Sequence, residues 1–130
     1  MSFLLDADTS SAYLKNHPRA TTQVMLHFGS LCLSTITVGE LLTWVLRAKN
    51  RKKREQEARD FIASCFVKPV SDEIANTFGE IRAQLLDGGI TVGAMDLFHA
   101  ATAIVHDLTL VTHNTRDYQH IPGLTLDDWL

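Results

Sequence analysis

The chain is 130 residues long and 45% hydrophobic, which suits one domain with a core that needs no disulfide or metal to hold it together. Its two cysteines, Cys32 and Cys65, form no CxxC pair, which excludes a zinc knuckle or dithiol redox motif and predicts a reducing, cytoplasmic setting. A net charge of -3 argues against a generally basic nucleic-acid binder, yet Arg47, Lys49, Arg51, Lys52, Lys53 and Arg54 put six cations into eight positions.

Phe3, Leu4 and Leu5 form a short apolar run that reads as a buried strand, with no basic flank to make it a signal peptide. No later stretch is long and uncharged enough to cross a bilayer, so a soluble protein is expected. Asp8 or Thr9 is the expected cap of a helix reaching toward Asn16 and stopping before Pro18. A second helix is expected over Arg19 to Phe28, ended by Gly29, and a second strand over Leu31 to Ile36. Helical residue types then run from Thr37 to Glu57 with a break near Asn50, the helix proper starting at Val38. Phe66 to Val70, interrupted by Pro69, reads as an edge strand. After Ser71, the residues Ile74, Phe78, Ile81 and Leu85 keep helical spacing until Gly88-Gly89. Met95 to Val105 predicts the next helix, Leu108 to Thr112 a strand, and Leu124 to Leu126 a last strand. Strands separated by helices imply parallel crossovers, hence an α/β three-layer sandwich with a central, mostly parallel sheet flanked by helices, residues 1–130 forming a single domain.

Four carboxylates fall where such a sheet carries its ligand site, beyond the carboxyl ends of the strands. Asp6 follows the first strand, Glu40 lies at the start of the helix after the second, Asp96 opens a helix, and Asp117 follows a later strand. Gathered carboxylates repel one another, and a divalent cation relieves the repulsion. Mg²⁺ prefers oxygen ligands and retains waters. Each acid also has a purely structural reading. Thr37-Val38-Gly39-Glu40 fits a capping box, Asp96 suits a helix first turn, and Asn114 and Asp117 are ordinary turn residues. Asp6 alone has no obvious local partner, so function leads there.

Three stretches, FLLDADTSSAYL, STITVGELLTW and GGITVGAMDLFHAATAIVHDLTLVTHNTRDYQHIPGLTLDDWL, together resemble the PIN-domain family, and within it the VapC-like toxin ribonucleases of toxin–antitoxin pairs. The resemblance covers nearly the whole chain. It places Asp6, Glu40, Asp96 and Asp117 on the family's four acidic positions, with Thr112 and Asn114 as polar support and Trp129 as the terminal tryptophan. It implies an endoribonuclease that hydrolyses RNA phosphodiesters, with Asp6, Asp96 and Asp117 holding Mg²⁺, Mn²⁺ being a plausible substitute, and Glu40 orienting the attacking water. It also implies a homodimer and a cognate antitoxin partner. Asp8 stands where the family more often has Asn. His99 stands where many members are aliphatic, three residues after Asp96 and on the same helical face, within reach of hydrogen bonding to it.

The basic run reads first as a solvated helix face. Arg47, Lys49, Arg82 and Arg116 are nevertheless the candidate cations for an RNA backbone. Trp44, Phe61, Phe66, Phe78 and Phe98 read as core or dimer contacts rather than stacking platforms. Two rival functions stand beside the nuclease. The first is a haloacid-dehalogenase-like phosphatase, because FLLDADT matches its strand followed by Asp-x-Asp-x-Thr, with Asp6 as nucleophile and Asp8 as general acid. The second is a non-catalytic PIN-like module that binds RNA or protein.

Overall fold

A computed structural model describes residues 1–130. The strands are β1 (Phe3–Leu5), β2 (Leu31–Ser34), β3 (Phe66–Lys68), β4 (Thr109–Val111) and β5 (Leu126–Asp127). They form one sheet in the order β3-β2-β1-β4-β5, and every pair is parallel, so the expected mostly parallel sheet is wholly so. The helices are α1 (Ala7–Leu14), α2 (Pro18–Leu26), α3 (Thr35–Leu46), α4 (Arg51–Ala63), α5 (Asp72–Asp87) and α6 (Ala94–Val105).

Alternation along β1 explains the three layers. Phe3 and Leu5 point into one core with Leu14, Val24, Leu41, Val45 and Phe61 of α1 to α4. Leu4 points into the other, with Ile81, Leu85, Leu97 and Ala100 of α5 and α6. A strand buried on both faces must be apolar throughout, which is why its sequence shows no polar alternation. Three alanines of α6, Ala100, Ala101 and Ala103, are buried. Their small side chains let that helix lie close to its neighbours.

Several boundaries differ from the expected ones, each for a local reason. The cap of α1 is neither Asp8 nor Thr9 but Asp6, whose Oδ1 accepts from the Thr9 N–H at 2.9 Å. The strand β2 stops at Ser34 rather than Ile36, because the Ser34 hydroxyl accepts from the Ile36 N–H and starts α3 at Thr35, ahead of the expected Val38. The capping box on Thr37 is therefore absent, and Glu40 sits in the second turn of α3 instead of the first. The break near Asn50 is real, and Asn50 is the residue before α4. The last strand lies at Leu126–Asp127 instead of Leu124 to Leu126. Gly29, at φ +92°, supplies the left-handed turn that brings the chain from α2 into β2.

The C-terminal residues are pinned to the first layer. Trp129 is buried, its ring 5.2 Å from Phe3 and stacked 5.5 Å from His27, and its Nε1 donates to Asp127 Oδ2 at 3.1 Å. Arg19 donates to the Leu130 oxygen at 2.7 Å. Both cysteines are free, and burial raises both thiols above their ordinary range, Cys65 to about 11. Neither is set up as a nucleophile.

Candidate active site

The chain from β1 proceeds outward through β2 to β3 and then returns to the other side of β1 as β4. The reversal leaves a crevice at the carboxyl ends of β1 and β4, the place where open parallel sheets bind ligands. Asp6 stands there. It is 7% exposed, its backbone N–H donates to the Val111 carbonyl at 3.2 Å, and its own carbonyl accepts the Ser10 hydroxyl at 2.8 Å. Asp6 thus has the local partner that its sequence context did not reveal, and holds the start of α1 at the carboxyl end of β1.

Thr112, fully buried just after β4, accepts the Asn114 N–H on its hydroxyl at 3.1 Å. That bond shapes the turn leading to the short 3-10 helix Thr115–Tyr118, which carries Asp117. Asp96 lies in the first turn of α6. Asp96 and Asp117 line one cleft together with Gly93, Arg116 and His120. Arg116 therefore supplies a cation beside two of the carboxylates.

Tyr118 is the residue that sequence reading missed. It is 1% exposed, with its hydroxyl buried. Its pKa is driven upward first by burial and then by the negative charges of Asp96, Asp6 and Asp117. Ionising this phenol beside those acids is unfavourable, so it stays neutral. The only signal in the sequence was an aromatic residue next to Asp117.

Glu40 belongs to the other side of this arrangement. It shares a depression with Asp8, Lys15 and Trp44. Its Oε1 is buried and lies 3.6 Å from Nε2 of His99. His99 is 3% exposed and faces Glu40, where the helical spacing had suggested Asp96. The separation exceeds hydrogen-bonding distance, and both Glu40 Oε1 and His99 Nδ1 are buried without a partner. Such orphaned groups cost stability. We expect His99→Leu to raise the unfolding free energy by ~1 kcal/mol in urea titration.

Asp8 is exposed in the first turn of α1. Arg82 lies on α5, 5.8 Å from the Phe78 ring, and lines neither of these depressions. Phe61 is core, and Phe78 stacks on Phe98 at 4.1 Å, whereas Phe66 is 60% exposed on the edge strand and so is not a core residue.

The donor set is oxygen-rich and anionic, which suits a hard cation. No three carboxylate, imidazole or thiol side chains stand close enough to enclose an ion by themselves. The arrangement therefore does not fit zinc or an all-protein cage. It fits Mg²⁺, which is commonly held by one or two carboxylates and completes its shell with water and phosphate oxygens.

The PIN domain pattern matches residues 3–124. The chain belongs to the PIN domain family. The tRNA(fMet)-specific endonuclease VapC of Salmonella typhimurium is 30% identical over 130 residues, spanning 99% of this chain and 98% of that protein. Ribonuclease VapC2 of Rickettsia felis is 26% identical, spanning 99% of this chain and 98% of the relative. Among solved structures, a chain of the DNA-bound VapBC crystal structure from Salmonella typhimurium superposes with a TM-score of 0.92 at 30% identity, over 100% of this chain and 99% of that one. Membership of this family displaces the phosphatase reading of FLLDADT. The acidic pair that reading would need, Asp127-Asp128, is occupied structurally: Asp127 by Trp129, and Asp128 by His113 at 3.0 Å and the Leu130 N–H at 3.0 Å. No helix is long and apolar enough to cross a membrane.

Proposed function

We propose that this PIN-domain protein is a divalent-metal-dependent endoribonuclease and the toxin of a VapBC-type toxin–antitoxin pair. The observation that carries the reading is Asp6 at the carboxyl end of β1, bonded to β4 through the Val111 carbonyl, together with the cleft that Asp96, Asp117 and Arg116 line. The ribonuclease names of the full-length relatives support it.

Asp6, Asp96 and Asp117 would hold Mg²⁺, or Mn²⁺ in its place, directly or through water. When bound, the ion lowers the pKa of water and stabilises negative charge on phosphate oxygens. The remaining work falls to the chain. Asp6 is fixed by its capping bond and its β4 contact, so its carboxylate needs no reordering. Glu40, with one oxygen turned inward to His99 and a side chain 37% exposed, would orient the attacking water. Arg116 faces the same cleft as Asp96 and Asp117 and can pair with a phosphate oxygen. Tyr118 keeps its proton throughout the physiological range, because burial and the three acids oppose its ionisation.

The solved VapBC assembly supports a cognate antitoxin as partner, and the family resemblance a homodimer acting in the cytoplasm. Purified protein, freed of antitoxin, is expected to cleave RNA in Mg²⁺, to lose all cleavage in EDTA and to regain it when excess Mg²⁺ is returned, as followed by gel. RNA binding without cleavage under these conditions would instead favour a non-catalytic PIN-like module.

A further inference from the structure

The carboxylate site alone repels a polyanion, so the RNA flanking the cut must be attracted elsewhere. One face of α3 leads away from the site. Glu40, Thr43, Trp44 and Arg47 stand at i, i+3, i+4 and i+7, the spacing of a single helical stripe, and they line one continuous depression with Ala48. This stripe runs about 10 Å from Glu40 to Arg47. Immediately after Ala48 in the chain comes a second depression, formed entirely by the turn and first residues of α4, namely Lys49, Asn50, Arg51, Lys52 and Lys53.

Ion pairs divide the cations here into two groups. Arg51 is 3.8 Å from Glu55, and Arg54 is 3.8 Å from Glu57. Arg47, Lys49, Lys52 and Lys53 have no acidic partner and are exposed. Beside Glu40, the Lys15 ammonium sits 5.1 Å from the centroid of the half-buried Trp44 ring. Unpaired like charges at this density repel one another, and an anionic ligand removes the repulsion. The aromatic ring between the acids and the cations offers a surface on which a base can stack.

We infer that this face is the track for the single-stranded RNA flanking the scissile phosphate, with Trp44 contacting a base and Arg47, Lys49, Lys52 and Lys53 the phosphates. The inference rests on the endoribonuclease reading and extends it. Trp44 also packs against the first core, as expected, and the inference adds a base contact on its exposed part.

The test uses the full chain carrying Asp6→Asn, so that RNA is bound and not consumed. Binding of a fluorescein-labelled single-stranded RNA oligonucleotide is measured by anisotropy across a salt series in Mg²⁺. Adding Lys49→Ala, Lys52→Ala and Lys53→Ala is expected to flatten the slope of log affinity against log salt by about 2, from three lost phosphate contacts on a single strand. In the otherwise active chain the same triple change should raise KM tenfold or more with kcat unchanged. RNA should also quench tryptophan fluorescence, and Trp44→Phe should abolish the quenching, since Trp129 is buried. If RNA binds but the triple variant keeps the full salt slope, the track is wrong and the nuclease reading stands. If the wild-type chain neither binds nor cleaves RNA, both fall.

Discussion

Asp6→Asn should reduce RNA cleavage by at least about a hundredfold while leaving the fold intact, because loss of a direct ligand exceeds the 10- to 100-fold typical of outer-shell changes. The substitution separates the two roles the structure gives this residue. Asn caps a helix about as well as Asp, so the bond from the Thr9 N–H survives, and the urea midpoint should be essentially unchanged. What disappears is the negative charge at the crevice between β1 and β4. By contrast, Asp6→Ala should lose both, with ~1 kcal/mol of stability going with the cap. Full cleavage by the Asn variant would mean that Asp6 serves α1 alone. Titration of Mn²⁺ against the two proteins gives a second readout, in which the wild type should bind more tightly.

Trp129→Ala should destabilise the fold by ~3–5 kcal/mol, a large share of the ~5–15 kcal/mol that holds a domain of this kind together. The ring fills the space between Phe3 and His27, and its N–H is bonded to Asp127 on β5. Truncation leaves a cavity against β1 and removes the donor to Asp127 Oδ2, while Asp127 Oδ1 keeps the Asp128 N–H. The effect reaches the site because β1 positions Asp6. Thermal unfolding followed by circular dichroism should show a markedly lower Tm. Trp129→Phe should recover a good part of the loss, since it keeps the packing but not the donor.

Much of the fold was legible because burial writes itself into residue type. A strand enclosed on both faces must be apolar, so Phe3-Leu4-Leu5 identified β1, and Ser71 followed by Ile74, Phe78, Ile81 and Leu85 identified α5. Boundaries were harder, because a cap is decided by which hydroxyl or carboxylate reaches the first free N–H. Ser34 did this for α3, and the plausible box between Thr37 and Glu40 never formed. The same local chemistry hid the capping role of Asp6, which stands three residues before Thr9 and closes the turn on it.

From the sequence by itself came an α/β chain carrying Asp6, Glu40, Asp96 and Asp117 in order, and a resemblance to the PIN-domain family that implied their shared role. Periodicity and the spacing of acids relative to strands are properties of the chain and need no coordinates. Only the tertiary structure decided how those acids are grouped. Packing of α6 against the sheet turns His99 toward Glu40 instead of Asp96, and the turn after β4 brings Arg116 and Asp117 to the cleft that Asp96 lines. Both are contacts between residues far apart in the chain, set by how helices lie across the sheet, and no spacing along one segment encodes them.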